Sequence, residues 1–158
     1  MLGTLITSLL LSATPVPPGK ALSRSVPSPD SLVAAIIVAL NKEDLRGMDT
    51  LSFNTVEFQE VYPFFASDTA AERRSFATGY YLRDNQKILE RRMAEEGGRK
   101  VVLSRYEIEG PLVPYGPMIL YKGFRIWVQE KGVEREVKLV KSAAKFHDGW
   151  KIWSFRDD

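Results

Sequence analysis

Cysteine and histidine, two residue types that often take part in catalysis, are scarce in this sequence. The chain has no cysteine and one histidine, His147, which excludes a thiol nucleophile or cysteine zinc site and argues against a histidine-rich metal site. His147 and Asp148 could form an acid–base pair, but Asp148-Gly149 is a dipeptide typical of hairpin turns, and we interpret the pair as part of a turn. We therefore predict no catalytic residue, no metal site and no cofactor.

A second group could line a ligand pocket. Glu57 could act as a buried base, although its position three residues after Asn54 is the spacing of a helix capping box. Tyr80, Tyr81 and Tyr106 could offer hydroxyl donors, although buried tyrosines with one satisfied hydroxyl are more common. Glu57 and these tyrosines form the ligand pocket of our alternative hypothesis.

The charges do not indicate a nucleic-acid partner. The chain carries 22 basic and 20 acidic residues, for a net charge of +2, and the two signs alternate along it. Binding to phosphates requires a clustered basic stripe. Arg73-Arg74 and Arg91-Arg92 could bind an anion, but glutamates surround both pairs, so we interpret them as solvated helix faces.

The aromatic side chains point to a binding surface. In the segment 118–130, Tyr121 and Trp127 alternate with Phe124 and Ile126, which places one aromatic set on the face opposite the core. Tryptophan and tyrosine are enriched in interfaces. The predicted partner-binding residues are Tyr121, Trp127, Trp150 and Trp153, with Tyr115 in a proline-rich loop and Leu5, Leu9 and Leu10 in an N-terminal arm.

The N-terminus has two segments of unusual composition. Residues 1–13 are apolar, and residues 14–29 are rich in proline and read as an extended linker. The apolar run has the length of a secretory signal but lacks basic side chains before it. Two hypotheses stay open, a cleaved signal and a retained anchoring arm. We favour export, to the periplasm or the outer side of the cytoplasmic membrane.

Helices are predicted in the first part of the remaining chain. Ser28 is a predicted N-cap for a helix that begins at Pro29 and ends near Gly47. A short helix follows from Asn54 and stops at Pro63. A longer one follows a capping box at Thr69 and runs to Glu96, with Leu82, Leu89 and Met93 on its apolar face and Gly79 as a break or a point of close approach.

Strands are predicted after Arg99. The first covers Val101 to Glu109, a stiff loop covers 110–117, and a long alternating strand covers 118–130. Lys131-Gly132 and Asp148-Gly149 are predicted hairpin turns, so residues 118–155 are predicted to form an antiparallel meander.

This order of elements, with the closing strand Gly149-Trp150-Lys151-Ile152, resembles the nuclear transport factor 2-like (cystatin-like, SnoaL-like) α+β superfamily over residues 30–158. The resemblance implies an α+β fold in which N-terminal helices pack on a curved antiparallel sheet to form a cone-shaped pocket. It does not select a function, because that superfamily contains isomerases, dehydratases, ligand carriers, dimer modules and accessory subunits.

Three functions are consistent with these observations. We favour a non-enzymatic accessory protein that docks on a larger protein complex, at a membrane, through its aromatic sheet face and N-terminal arm; membrane-surface contact and a homodimer are also open. The alternatives are a carrier of a small apolar ligand and a pocket enzyme of isomerase or dehydratase type that uses a carboxylate and a tyrosine.

Overall fold

A computed structural model describes residues 25–54, 57–58, 71–110, 112–115, 118–147 and 149–158 of the 158-residue chain. These residues form an α+β fold of three helices and two antiparallel sheets. The α+β class predicted from the sequence is therefore confirmed. The apolar run at 1–13 and most of the proline-rich linker, with Leu5, Leu9 and Leu10, lie outside the described residues.

The first predicted helix is two helices. Helix α1 (Pro29–Asn41) begins as expected, with the Ser28 hydroxyl accepting from the Ser31 amide at 3.1 Å. It ends at Asn41 rather than near Gly47, because Glu43 takes a left-handed φ of 51° and turns the chain. Helix α2 (Leu45–Thr50) then begins behind its own N-cap, Asp44.

Helix α3 (Ala71–Glu96) is continuous through Gly79. The suggested break is wrong, and no described atom lies close enough to Gly79 to explain it as a point of close approach. The predicted end at Gly97-Gly98 is confirmed, since Gly98 has a φ of 73° and its amide donates to the Leu40 carbonyl oxygen at 2.9 Å. This bond joins the C-terminal ends of α1 and α3.

The strands form two sheets rather than one. The three-stranded sheet has the order β1-β4-β5 and the four-stranded sheet the order β2-β3-β6-β7. In chain order the strands are β1 (Val102–Ile108), β2 (Leu112–Tyr115), β3 (Met118–Lys122), β4 (Phe124–Glu130), β5 (Val133–Val137), β6 (Val140–Phe146) and β7 (Gly149–Phe155).

Three expectations about these strands are corrected. The long strand 118–130 is divided by Gly123, whose φ of 72° ends β3 and sends β4 into the other sheet. The meander is wrong, because β3 pairs with β6 and not with β4. The loop 110–117 contains strand β2. The hairpins β4–β5 and β6–β7 are confirmed by the pairs Glu130–Val133 and Phe146–Gly149. Gly149 is the first residue of β7, so it lies in the strand and not in the turn as predicted.

Apolar residues cover both faces of the four-stranded sheet. On one face, which we call the α1 face, Ala143, Trp150 and Ile152 join the main core that α1 completes. On the other, which we call the Lys151 face, Leu120 and Ala144 pack with Phe53 in a smaller cluster. Each face therefore has its own set of contacts.

The free edge of β7 is covered by two short segments. Val26 and Trp150 exchange both backbone hydrogen bonds, and the Ile152 amide donates to the Leu51 carbonyl oxygen at 2.7 Å. A side chain on Gly149 would collide with Ser25, so glycine here permits the close approach of the chain before α1. The end of the predicted linker therefore packs on the sheet.

Candidate functional site

A buried ion pair lies on the Lys151 face. The Lys151 ammonium donates to both carboxylate oxygens of Glu57, at 3.1 and 2.9 Å, and the two side chains are 2% and 7% exposed. The capping box predicted from the sequence is also present, since Glu57 accepts from the Asn54 amide and Asn54 accepts from the Glu57 amide. The Glu57 side chain therefore has two roles: it completes a helix capping box, and it neutralises a buried lysine.

Three aromatic rings pack around Trp153 beside this pair. The indole contacts Phe53, Phe58 and Tyr81 with ring centroids 5.2, 5.6 and 5.1 Å away. Burial raises the pKa of the Tyr81 phenol strongly, and the neighbouring Asn85 amide opposes this only in part. The Tyr81 hydroxyl has no hydrogen-bond partner of normal geometry among the described residues. It is therefore a neutral donor rather than a base.

An open cleft of about 520 Å³ adjoins the ion pair between α2, α3 and β7. Its described lining is mostly polar and includes Asp49, Asn54, Arg83, Asn85, Gln86 and Lys151. The apolar-ligand alternative predicted a closed apolar cavity, and this open polar cleft does not fit it. The cleft suits water and polar solutes.

The residues of the predicted pocket are only partly brought together. Tyr81 stacks on Phe58, the residue next to Glu57, whereas Tyr106 stacks on Phe124 and donates its hydroxyl to Asp30 at 2.8 Å. The side chain of Tyr80 is outside the described part of the structure. Because Lys151 and Asn54 occupy the Glu57 oxygens, the geometry gives no support to Glu57 as a general base.

Trp127 is covered by its own sheet. It is buried on β4, with the guanidinium carbons of Arg105 and Arg125 lying 3.8 and 4.6 Å from its ring centroid. Those arginines pair with Glu107, Glu134, Glu109 and Glu136. The expectation that Trp127 lacks intramolecular cover is therefore wrong, because cation–π contacts replace the missing apolar neighbour.

Tyr121 and Trp150 lie together on the α1 face, with ring centroids 4.5 Å apart, and Trp150 is buried in the main core. Trp153 lies on the Lys151 face instead. Gly123 separates Tyr121 from Trp127, so the single aromatic face predicted from the sequence does not exist. Tyr115 belongs to β2, and its side chain is not among those described.

An apolar patch that the sequence alone did not reveal extends from Tyr121. Leu112 pairs with Tyr121, and Pro114 pairs with Ile119, so all four side chains share the α1 face, since directly paired residues lie on the same side of a sheet. Leu112 is 61% and Ile119 37% exposed, and Pro114 is exposed as well. We call Leu112, Pro114, Ile119 and Tyr121 the hairpin patch.

Two further sets of candidates have structural roles. His147 is exposed in the β6–β7 turn with a φ of 52°, while Asp148 is not described. Arg91 bonds to Asp157, and Arg92 is buried and donates to the main-chain oxygens of Arg156 and Asp158. The interpretation of Arg91-Arg92 as a solvated face is correct for Arg91, which is exposed, and wrong for Arg92, which is buried. Both side chains bind residues 156–158.

Comparison with protein-family models, curated proteins and solved structures found no match for this chain. In the described part, no helix is long and apolar enough to cross a membrane. No group of side chains in the same residues is arranged to hold a metal ion.

Proposed function

We propose that this chain is a non-enzymatic accessory protein that binds another protein chain through the hairpin patch. The observation that carries the proposal is the position of that patch. The α1 face is buried where β6 and β7 lie under the helices, and the same face continues onto β2 and β3, where Leu112 and Ile119 are exposed. An exposed apolar continuation of a core face is typical of an interaction surface.

The two side chains best placed to act as acid–base groups, Glu57 and Tyr81, support binding over catalysis. The Glu57 carboxylate is occupied by Lys151 and Asn54, and burial keeps the Tyr81 phenol protonated. An enzyme of the isomerase or dehydratase type needs a carboxylate that is free to take a proton from its substrate. The described residues do not offer one in this cluster.

The partner is expected to cover the face of the hairpin and not to extend the sheet. Strand β2 is an edge strand among the described residues, and it contains Pro114. Proline lacks the amide donor that an added strand would need, and it is a common means of protecting sheet edges. A partner would therefore supply apolar side chains to Leu112 and Ile119.

Export and a membrane-bound partner complex belong to the same proposal. They rest on the apolar run at 1–13 and the proline-rich linker at 14–29, which would let the domain work at a distance from its anchor. The cone-shaped nuclear transport factor 2-like architecture is likewise proposed, on the order of helices followed by strands and on the closing Gly149-Trp150-Lys151-Ile152 strand.

The test compares a charged substitution in the hairpin patch with a charged substitution at an exposed apolar residue outside it. Ile119→Glu places a charge in the hairpin patch, whereas Val133→Glu places one on β5, where Val133 is 67% exposed. Proteins crosslinked in native membranes to each variant and to the wild type are quantified by mass spectrometry, and the melting temperature of each is measured. We expect Ile119→Glu to lower the recovery of a specific partner at least tenfold and Val133→Glu to leave it unchanged.

Equal recovery with both variants would contradict the proposal. So would binding of the purified wild type to protein-free vesicles that Ile119→Glu abolishes, because the patch would then contact lipid. Sedimentation of the purified protein separates a second copy from a different partner: a dimer that Ile119→Glu dissociates shows that the partner is another copy of this chain.

A further inference from the structure

A groove distinct from the cleft and from the hairpin patch lies on the Lys151 face of the four-stranded sheet. It has a volume of about 360 Å³ and is lined by Leu120, Lys122, Gly123, Lys141, Ser142, Trp153 and Ser154. Its position on the face opposite the hairpin patch means that a ligand there would not block docking of a partner protein. Its size is at the lower end of small-molecule sites.

Two irregularities in the β6–β7 ladder shape this groove. Val140 pairs with Phe155, Ser142 with Ser154 and Ala143 with Ile152. Lys141 is therefore the extra residue on β6 and Trp153 the extra residue on β7, on either side of one Ser142–Ser154 pair. Bulges redirect side chains and are common beside functional sites. Here two consecutive bulges bring a lysine and a tryptophan to the same groove.

The polar groups of the groove favour an anion. Lys122 and Lys141 are exposed, and no carboxylate among the described residues forms an ion pair with either. The Ser142 and Ser154 hydroxyls bond to each other at 2.6 Å. Only one of the two protons is used in that bond, so the second hydroxyl can donate to a ligand.

Backbone hydrogen bonds fix the position of the chain at Lys122, on one side of the groove. The Gly110 amide donates to the Lys122 carbonyl oxygen at 2.8 Å, and the Glu109 amide donates to that of Gly123 at 3.1 Å. A side chain on Gly110 would collide with Lys122. The site is thus built on paired strands, which position side chains more accurately than loops do.

We infer that this groove binds a small aromatic oxyanion, a carboxylate or phosphate attached to a planar ring. The two ammonium groups and the serine hydroxyl bind the oxyanion, while Trp153 and Leu120 contact the ring. This binding function is independent of the proposed docking role.

The test is calorimetric titration of the purified full chain with phenyl phosphate and benzoate, and with inorganic phosphate and phenol as probes that each lack one half of the ligand. The variant Lys122→Gln/Lys141→Gln is compared with Lys87→Gln/Lys138→Gln, which removes the same charge from exposed lysines outside the groove. We expect at least one aromatic oxyanion to bind the wild type tenfold more tightly than inorganic phosphate or phenol, and the groove variant to lose at least tenfold in affinity.

Three results would overturn the inference: no binding of either aromatic oxyanion at millimolar concentration, equal affinity for inorganic phosphate and phenyl phosphate, or equal loss in both double lysine variants. Because the substituted lysines are exposed, both variants are expected to fold. The circular dichroism spectrum and melting temperature of each confirm that a loss of affinity comes from the groove.

Discussion

Lys151 is the residue with the most demanding environment among those described. Its ammonium group is buried, and a buried charge without a partner carries a cost of several kcal/mol. The Glu57 carboxylate supplies the opposite charge, and Glu57 lies in the segment that covers this face of the sheet. The pair therefore helps to fix where Phe53 and Phe58 dock on β7.

Substitution of Glu57 tests this role. Glu57→Gln removes the carboxylate from a buried ammonium, and we expect it to lower the free energy of unfolding by about 3 kcal/mol. The double variant Glu57→Gln/Lys151→Met also removes the buried charge, so it should recover a large part of that loss. Urea denaturation of the wild type, Glu57→Gln, Lys151→Met and the double variant measures both effects. A single-variant loss under about 1 kcal/mol would show that the pair does not matter.

Glu136 makes stability depend on acid pH. Hydrogen bonds from Arg125 hold the pKa of the Glu136 carboxyl below its ordinary value of 4.5, against the opposing effect of burial and with help from Arg156. The unfolded chain then takes up a proton at higher pH than the folded chain. This contribution to stability is complete above about pH 4.5 and is lost as the pH falls through the lower, folded value.

We therefore expect the free energy of unfolding to fall more steeply between pH 5 and pH 3 in the wild type than in Glu136→Gln. Urea denaturation at a series of pH values measures the two slopes. Glu90→Gln, on the exposed side of α3, is the matched control and should keep the wild-type slope. Parallel slopes in the wild type and Glu136→Gln would contradict the argument.

At the scale of elements, Asn41 connects a helix to a strand. Its amide donates to the Val101 carbonyl oxygen at 2.8 Å and accepts from the Val101 amide at 2.7 Å, so it joins the end of α1 to the chain just before β1. Asn41→Ala would leave both buried backbone groups unpaired, and we expect a loss of about 2 kcal/mol. Thermal unfolding compares it with Lys42→Ala, an exposed neighbour; equal melting temperatures would contradict this link.

Local signals in the sequence predicted the elements better than their pairing. Ser28 and the Asn54–Glu57 box gave correct caps, because capping depends on residues three apart. Strand β2 was missed because proline and glycine surround it, and Gly123 was passed over because apolar residues alternate on both sides of it. The Glu57–Lys151 pair was missed because its members are 94 positions apart, and an isolated lysine in a strand usually indicates a solvent-facing position.

At the scale of the whole molecule, the N-terminal arm and the domain should act separately. We expect deletion of residues 2–13 to release the protein from its membrane or partner complex without changing its melting temperature, because the proline-rich linker separates the two. Deletion of residues 14–20 keeps the apolar run and is the control, which should stay attached. An intact mass that places the mature N-terminus after residue 13 would show that the segment is a cleaved signal, and would end the anchoring hypothesis.

The division of the strands between two sheets has a consequence for synthesis. Every strand of the β1-β4-β5 sheet precedes residue 138, whereas the other sheet needs β6 and β7, which end at Phe155. As the chain leaves the ribosome, the strands of the smaller sheet can pair before β6 is available to pair with the β2–β3 hairpin. Strand β7 follows the other strands in synthesis and carries Lys151 and Trp153, so neither the buried ion pair nor the groove lined by Lys122 and Trp153 can form before this strand has left the ribosome.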